Sequence, residues 1–143
     1  MNFRRIVLLG LACACASVFA QFRVEVSGVG LTQLPVAVAK FRGDDASSQK
    51  IGDIVLADLE RSGQFRAVDT SGTALDESSR PDISVWRQKG SDSLVAGSVT
   101  RLADGRFDVR FRLWDVVKGQ DLGGLSYAVA PADLRLAAHR IAD

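Results

Sequence analysis

Cysteine is scarce in this 143-residue chain: its only two, Cys13 and Cys15, stand near the amino terminus. If the first 20 residues are removed none is left, which excludes disulfides, thiol nucleophiles and thiolate metal sites together. His139 is the sole histidine, and its neighbours suggest neither a nucleophile nor an orienting partner for general-base work. Charge of one sign is also lacking, with 18 Lys+Arg against 17 Asp+Glu. Without Arg4 and Arg5 the balance is 16 against 17, a net −1, so no field draws the chain to nucleic acid or anionic lipid. No apolar run reaches the ~20 residues that span a bilayer.

What is present begins with a targeting pattern. Arg4 and Arg5 precede an apolar run from Ile6 to Ala16, and Val18-Phe19-Ala20 stands before Gln21. A positive flank, a short apolar core and compact residues three and one before the junction describe a secretory signal peptide, residues 1–20, cut between Ala20 and Gln21. Lipidation at Cys13 or Cys15 is disfavoured, because Gly10 and Ala12 stand where lipoprotein signals usually carry Leu. The trimmed chain is expected to be soluble, without membrane insertion, and long enough for one domain with a genuine core.

Along that domain the periodicity switches repeatedly. Phe22, Val24 and Val26 alternate with Arg23, Glu25 and Ser27, a strand with one apolar face. Gly28-Val29-Gly30 breaks the pattern, and Leu34–Phe41 follows as a nearly continuous apolar run, interrupted by Lys40 and suited to one strand covered on both faces. Ser47 or Ser48 is placed to cap a helix bearing Ile51, Ile54, Val55 and Leu59 on one stripe, closed by Gly63. Phe65–Val68 reads as the next strand, completing a βαβ unit. Thr70–Arg80 reads as loop, and Pro81–Lys89 as a short helix started by proline. Leu94–Val99, Phe107–Leu113 and Leu122–Val129 form a meander joined by turns at Asp104-Gly105 and Lys118-Gly119-Gln120. Pro131 opens a last helix with Leu134, Ala137, Ala138 and Ile141 on one face, and the chain stops within it. The expected fold is α/β, a mixed sheet of about five strands with two or three helices, and no β-propeller.

Candidate chemistry is thin. Gly28-Val29-Gly30 lacks the third glycine and the helix amino terminus that a dinucleotide turn needs. His139 has only Asp143 as a local metal partner, so packing or capping of the last helix is its better reading. Arg106, Arg110, Arg112 and Trp114 share a strand face, as in single-strand nucleic-acid platforms. Asp108 interrupts that stripe and Asp104 and Asp115 flank it, so a solvated or helix-covered sheet face is expected instead. Asp44 with Asp45, and Asp53 with Asp58, have no spacing for acid–base pairs and read as solvating charges. No catalytic residue, cofactor or metal is expected.

Three blocks give the chain a resemblance. They are Gly52-Asp53-Ile54-Val55-Leu56-Ala57-Asp58-Leu59-Glu60-Arg61-Ser62-Gly63-Gln64-Phe65, then Phe111-Arg112-Leu113-Trp114-Asp115-Val116, then Arg135-Leu136-Ala137-Ala138-His139-Arg140-Ile141-Ala142-Asp143. In this order, behind a signal peptide and an opening like Phe22-Arg23-Val24-Glu25-Val26, they resemble the TolB family of the periplasmic Tol–Pal system. The resemblance implies an amino-terminal α/β domain, here residues 32–143 and cut within its last helix. In the family a β-propeller that binds the lipoprotein Pal follows, and no propeller repeats follow here. It also implies that residues 21–31, with Gln21, Phe22, Arg23, Val24, Glu25, Val26 and Ser27 as contacts, bind a TolA-like inner-membrane protein. The implied role is outer-membrane integrity, membrane invagination at division and protein import. Read from the residues alone, Gln21–Ser27 is instead an ordinary edge strand beside Leu34–Phe41. An accessory of another outer-membrane assembly or secretion machine, and a small-ligand-binding periplasmic domain, stay open as alternatives.

Overall fold

The computed structural model describes residues 32–44, 47 and 50–143. The signal junction at Ala20 and Gln21, the segment Gln21–Ser27, Gly28-Val29-Gly30, Asp45 and Ser48 lie outside the described residues. Seven strands and three helices follow in chain order: β1 (Leu34–Val38), β2 (Lys40–Phe41), α1 (Ile51–Arg61), β3 (Phe65–Ala67), β4 (Ala74–Leu75), α2 (Ile83–Gln88), β5 (Ser93–Arg101), β6 (Phe107–Asp115), β7 (Gln120–Val129) and α3 (Leu134–Ala142). Five of the strands form one sheet in the order β3-β1-β5-β6-β7, and β2 pairs β4 separately. β1 runs parallel to β3 and β5, while β5, β6 and β7 are antiparallel. The mixed sheet, the βαβ unit and the meander are all present. No propeller blade occurs among the described residues.

Two apolar layers hold the sheet. On one face Val36, Val38, Val95, Val99, Phe107 and Val109 meet Ile51 and Val55 of α1 and Leu134, Ala137 and Ala138 of α3. On the other, Ala37, Ala39, Leu94 and Trp114 meet Trp86 of α2 together with Val68 and Val116. β1 therefore contributes to both layers, which is why its sequence shows no polar alternation. On β6 the alternation is visible because Phe107 and Val109 go inward while Arg110 stays at the surface.

Several boundaries differ from expectation for physical reasons. The run Leu34–Phe41 is two strands, not one, because the chain changes neighbours at Ala39. Ala39 N–H donates to the Val95 carbonyl at 2.9 Å, whereas Lys40 N–H donates to Thr73 at 3.0 Å. The Thr70–Arg80 loop accordingly contains β4, paired Lys40 to Ala74 and Phe41 to Leu75. The helix near Pro81 starts two residues later, where the Asp82 carboxylate accepts from Ser84 N–H at 3.0 Å. Pro131 sits in a 3-10 turn, Pro131–Asp133, that leads into α3.

The cap of α1 is also a correction. Ser47 is not the cap; it donates from Oγ to the Asp44 carbonyl at 3.0 Å. The acceptor at the helix start is Asp44, whose carboxylate takes Ile51 N–H at 3.0 Å and Gly52 N–H at 3.4 Å. Far from solvating the surface, Asp44 is 4% exposed. Burial holds its pKa above the usual carboxylate value, and its bonds to Ile51, Gly52 and Ser47 offset only part of that rise.

Candidate interaction surface

The chain enters the described domain beside the α1–β3 turn, where Gln33 Nε2 donates to the Gly63 carbonyl at 3.3 Å and Leu34 N–H to Gln64 at 2.8 Å. From there β1 has a hydrogen-bonded neighbour along each side. Leu34–Val36 pair with Phe65–Ala67, and Val36–Val38 pair with Ser93–Val95. Asp92 N–H also donates to the Pro35 carbonyl at 2.9 Å. A further strand beside Leu34–Phe41 would have to displace one of these ladders. Among the described residues, β1 therefore leaves no free side for the edge strand expected beside it.

The charged stripe on β6 is neutralised locally. Arg106 pairs with Asp104 at 2.8 Å, Arg110 with Asp108 at 2.7 Å, and Arg112 with Asp121 of β7. Asp115 belongs to a different pair, with Lys118 at 3.9 Å. Trp114 is buried under α2, with the Arg80 guanidinium 5.9 Å from its ring centroid. A stacking platform for bases needs an open aromatic face, and Trp114 offers none.

Most remaining carboxylates serve local structure. Asp76 accepts from Ser78 and Ser79, which hold its pKa at about 2. Asp69 and Asp82 are held below the usual carboxylate range by Ser71 and Ser84. A cleft of about 350 Å³ beside the α1 start is lined by Lys40, Asp44, Lys50, Asp53, Thr70 and Gly72 among others, and Asp44 spends its oxygens on the α1 amides. Among the described residues no group of three or more His, Cys, Asp or Glu stands where it could hold a metal. No helix among them is long and apolar enough to cross a membrane.

One pair was not visible in the sequence. His139 Nδ1 of α3 hydrogen-bonds Asp58 Oδ2 of α1, and Asp58 also pairs with Arg61. Asp53 is exposed as expected, but Asp58 is no solvating charge: its side chain is 16% exposed. The His139 bond lowers the Asp58 pKa; desolvation opposes it less strongly, and the Arg61 bond adds to the lowering. A depressed carboxylate stabilises the fold above its unfolded pKa of ~4, and that stabilisation is lost as pH falls through the folded value. Asp58→Asn is expected to lower stability by about 1 kcal/mol at pH 7 and to shrink the acid-limb slope. Urea midpoints from pH 7 to pH ~2.5 check it; an unchanged slope contradicts the pairing.

The matches to known proteins agree with this architecture. Residues 22–122 match the family model described as the TolB amino-terminal domain. A Tol-Pal system protein TolB from Albidiferax ferrireducens is 71% identical over 143 residues, covering all of this chain and 34% of that protein. The Bordetella pertussis protein of the same name is 44% identical over 138 residues, covering 96% of this chain and 32% of that protein. In the crystal structure of TolB from Acinetobacter baumannii, 30% identical, the match has a TM-score of 0.65 and covers 78% of this chain and 27% of that one. This chain thus spans about a third of the length of the curated relatives it matches. A mixed sheet with the same course, the matched span and these identities place one conclusion beyond the fold itself: the chain belongs to the TolB amino-terminal domain family.

Proposed function

We propose that this chain is an exported periplasmic component of the Tol–Pal envelope assembly that acts by binding proteins, and that Gln21–Ser27 carries its contact with a TolA-like inner-membrane partner. The layout that goes with it is a leader, residues 1–20, a partner-binding segment, residues 21–31, and a supporting α/β domain, residues 32–143. The observation that carries the reading is the two-sided pairing of β1. A strand-patterned segment precedes a strand whose two sides are taken, so pairing beside β1 does not compete with its addition to the sheet edge of another protein. Relatives named Tol-Pal system protein TolB supply the system in which that partner is sought. Contact with a Pal-like lipoprotein belongs to a propeller, which the described residues do not include. The process served is outer-membrane integrity, invagination at division and protein import.

The test is deletion of Gln21–Ser27 followed by calorimetric titration with the soluble domain of a TolA-like protein. Binding is expected to vanish while the melting temperature moves by no more than about 2 °C, the scale of a surface change. Retained affinity overturns the assignment of the segment. Turnover of a small substrate, or capture by a secretion channel alone, overturns the adaptor reading itself.

A further inference from the structure

The five-stranded sheet has two edges of unequal kind. β3 offers three residues, whereas β7 offers ten, Gln120–Val129. Natural edges of that length are normally blunted by lysine, proline or several charges. β7 has no lysine or proline and one charged residue, Asp121, which is already paired with Arg112. Its one irregularity lies near the start, where the register with β6 shifts at Leu113/Trp114 and Gly123 takes a φ of +97°. From Gly124 to Val129 the edge is regular.

The face beside that edge is incompletely covered. α3 lies against the far end of β7, from Tyr127 to Ala130. Leu125, further back along the strand, is 61% exposed, whereas Leu122 falls at the register shift. Leu125 faces the same side as Tyr127, whose ring stacks on Phe111 with centroids 6.4 Å apart. Among the described residues, an unpaired edge and a bare apolar side chain, Leu125, thus occur on the same strand.

We propose that β7 pairs antiparallel with β7 of a second copy about a two-fold axis through Ser126. The occupant is argued from self-complementarity. Antiparallel pairing keeps like faces together only in registers that set odd against odd positions and even against even. The axis through Ser126 uses the regular part of both edges. It sets Leu125 against the partner's Tyr127 and Gly124 against the partner's Ala128, each twice by symmetry, as an isologous contact requires. Asp121 falls beyond the paired span, so no like charges meet. The result is a continuous ten-stranded sheet in which each Leu125 is covered by the Tyr127 of the other copy. A seam of this length buries about 1,000 Å² in total, the low end for specific association, so a Kd in the micromolar range is expected. The contact is independent of Gln21–Ser27.

The test is sedimentation velocity of the 143-residue chain, with Cys13 and Cys15 changed to serine, from about 5 to about 300 μM. A monomer–dimer equilibrium is expected, and Leu125→Lys, a change at an exposed site that leaves the fold intact by circular dichroism, is expected to weaken it at least about tenfold. In the same background Ser126→Cys is expected to form a disulfide-linked dimer under oxidised glutathione, because directly opposed residues bring their Cβ atoms within bridging range. Val117→Cys, 62% exposed in the β6–β7 turn, is expected not to. A monomer at every concentration overturns the proposal, as does a dimer insensitive to Leu125→Lys or equal cross-linking at Val117. A dimer lost on deleting Gln21–Ser27 instead assigns the contact to that segment and overturns it too.

Discussion

Phe41→Ala is expected to lower stability by about 3–5 kcal/mol, the largest single loss predicted for this domain. Phe41 is fully buried although it belongs to a strand of two residues. Its ring stands between two glycines. A Cβ at Gly52 of α1 would lie 3.6 Å from Phe41 Cδ1, and a Cβ at Gly97 of β5 only 2.5 Å from Cε2. The ring therefore joins helix and sheet through surfaces from which side chains are missing. Alanine leaves a cavity that neither backbone can close, because Arg42 N–H is held to the Gly97 carbonyl at 2.8 Å and Val99 N–H to the Arg42 carbonyl at 2.9 Å. Thermal melts should show a fall of about 12–20 °C for a domain of this size. A fall below about 4 °C would mean that α1 can settle onto β5 without the ring.

Gly97→Val is the second large effect, expected to cost about 3 kcal/mol or more through overpacking. Any Cβ there lies 2.4 Å from the Arg110 carbonyl oxygen as well as inside the Phe41 ring contact. The ring can tilt, but the carbonyl belongs to the β5–β6 ladder, where Gly97 stands opposite Phe111. The two sites are coupled. In a Phe41→Ala background Gly97→Ala should cost less than it does alone, with an interaction energy of about 1 kcal/mol in a double-mutant cycle. Strict additivity would show that the β6 carbonyl, not the ring, sets the penalty.

The parts of this fold that could be read from residues are those whose signal is local. Phe107, Val109, Phe111 and Leu113 declare a strand by alternation, and Gly63, with φ +75°, marks the end of α1 where a left-handed residue was needed. What escaped reading joins residues distant in sequence. The Asp44 carboxylate reaches seven residues forward to Ile51, outside the window in which a cap is sought. Asp58 and His139 are 81 positions apart, and only the packing of α3 against α1 brings them together. The break at Ala39 is invisible for another reason. An apolar run records that a strand is covered, not that its neighbour changes from one sheet to a second. The candidate contact segment was legible as a pattern, whereas the lack of a free side on β1 among the described residues depended on the strand order.

That strand order has a mechanical consequence. A load applied ahead of Leu34 along the β1 axis, against an anchor beyond the strand's other end, is borne by an interior strand. Tension then loads the ladders to β3 and β5 in shear, all their hydrogen bonds together, instead of peeling them singly as at a sheet margin. Rupture under force follows the unfolding barrier and not the equilibrium population. A first strand bonded along both sides thus holds to a higher force than the same strand at a margin would, while the body behind it stays folded.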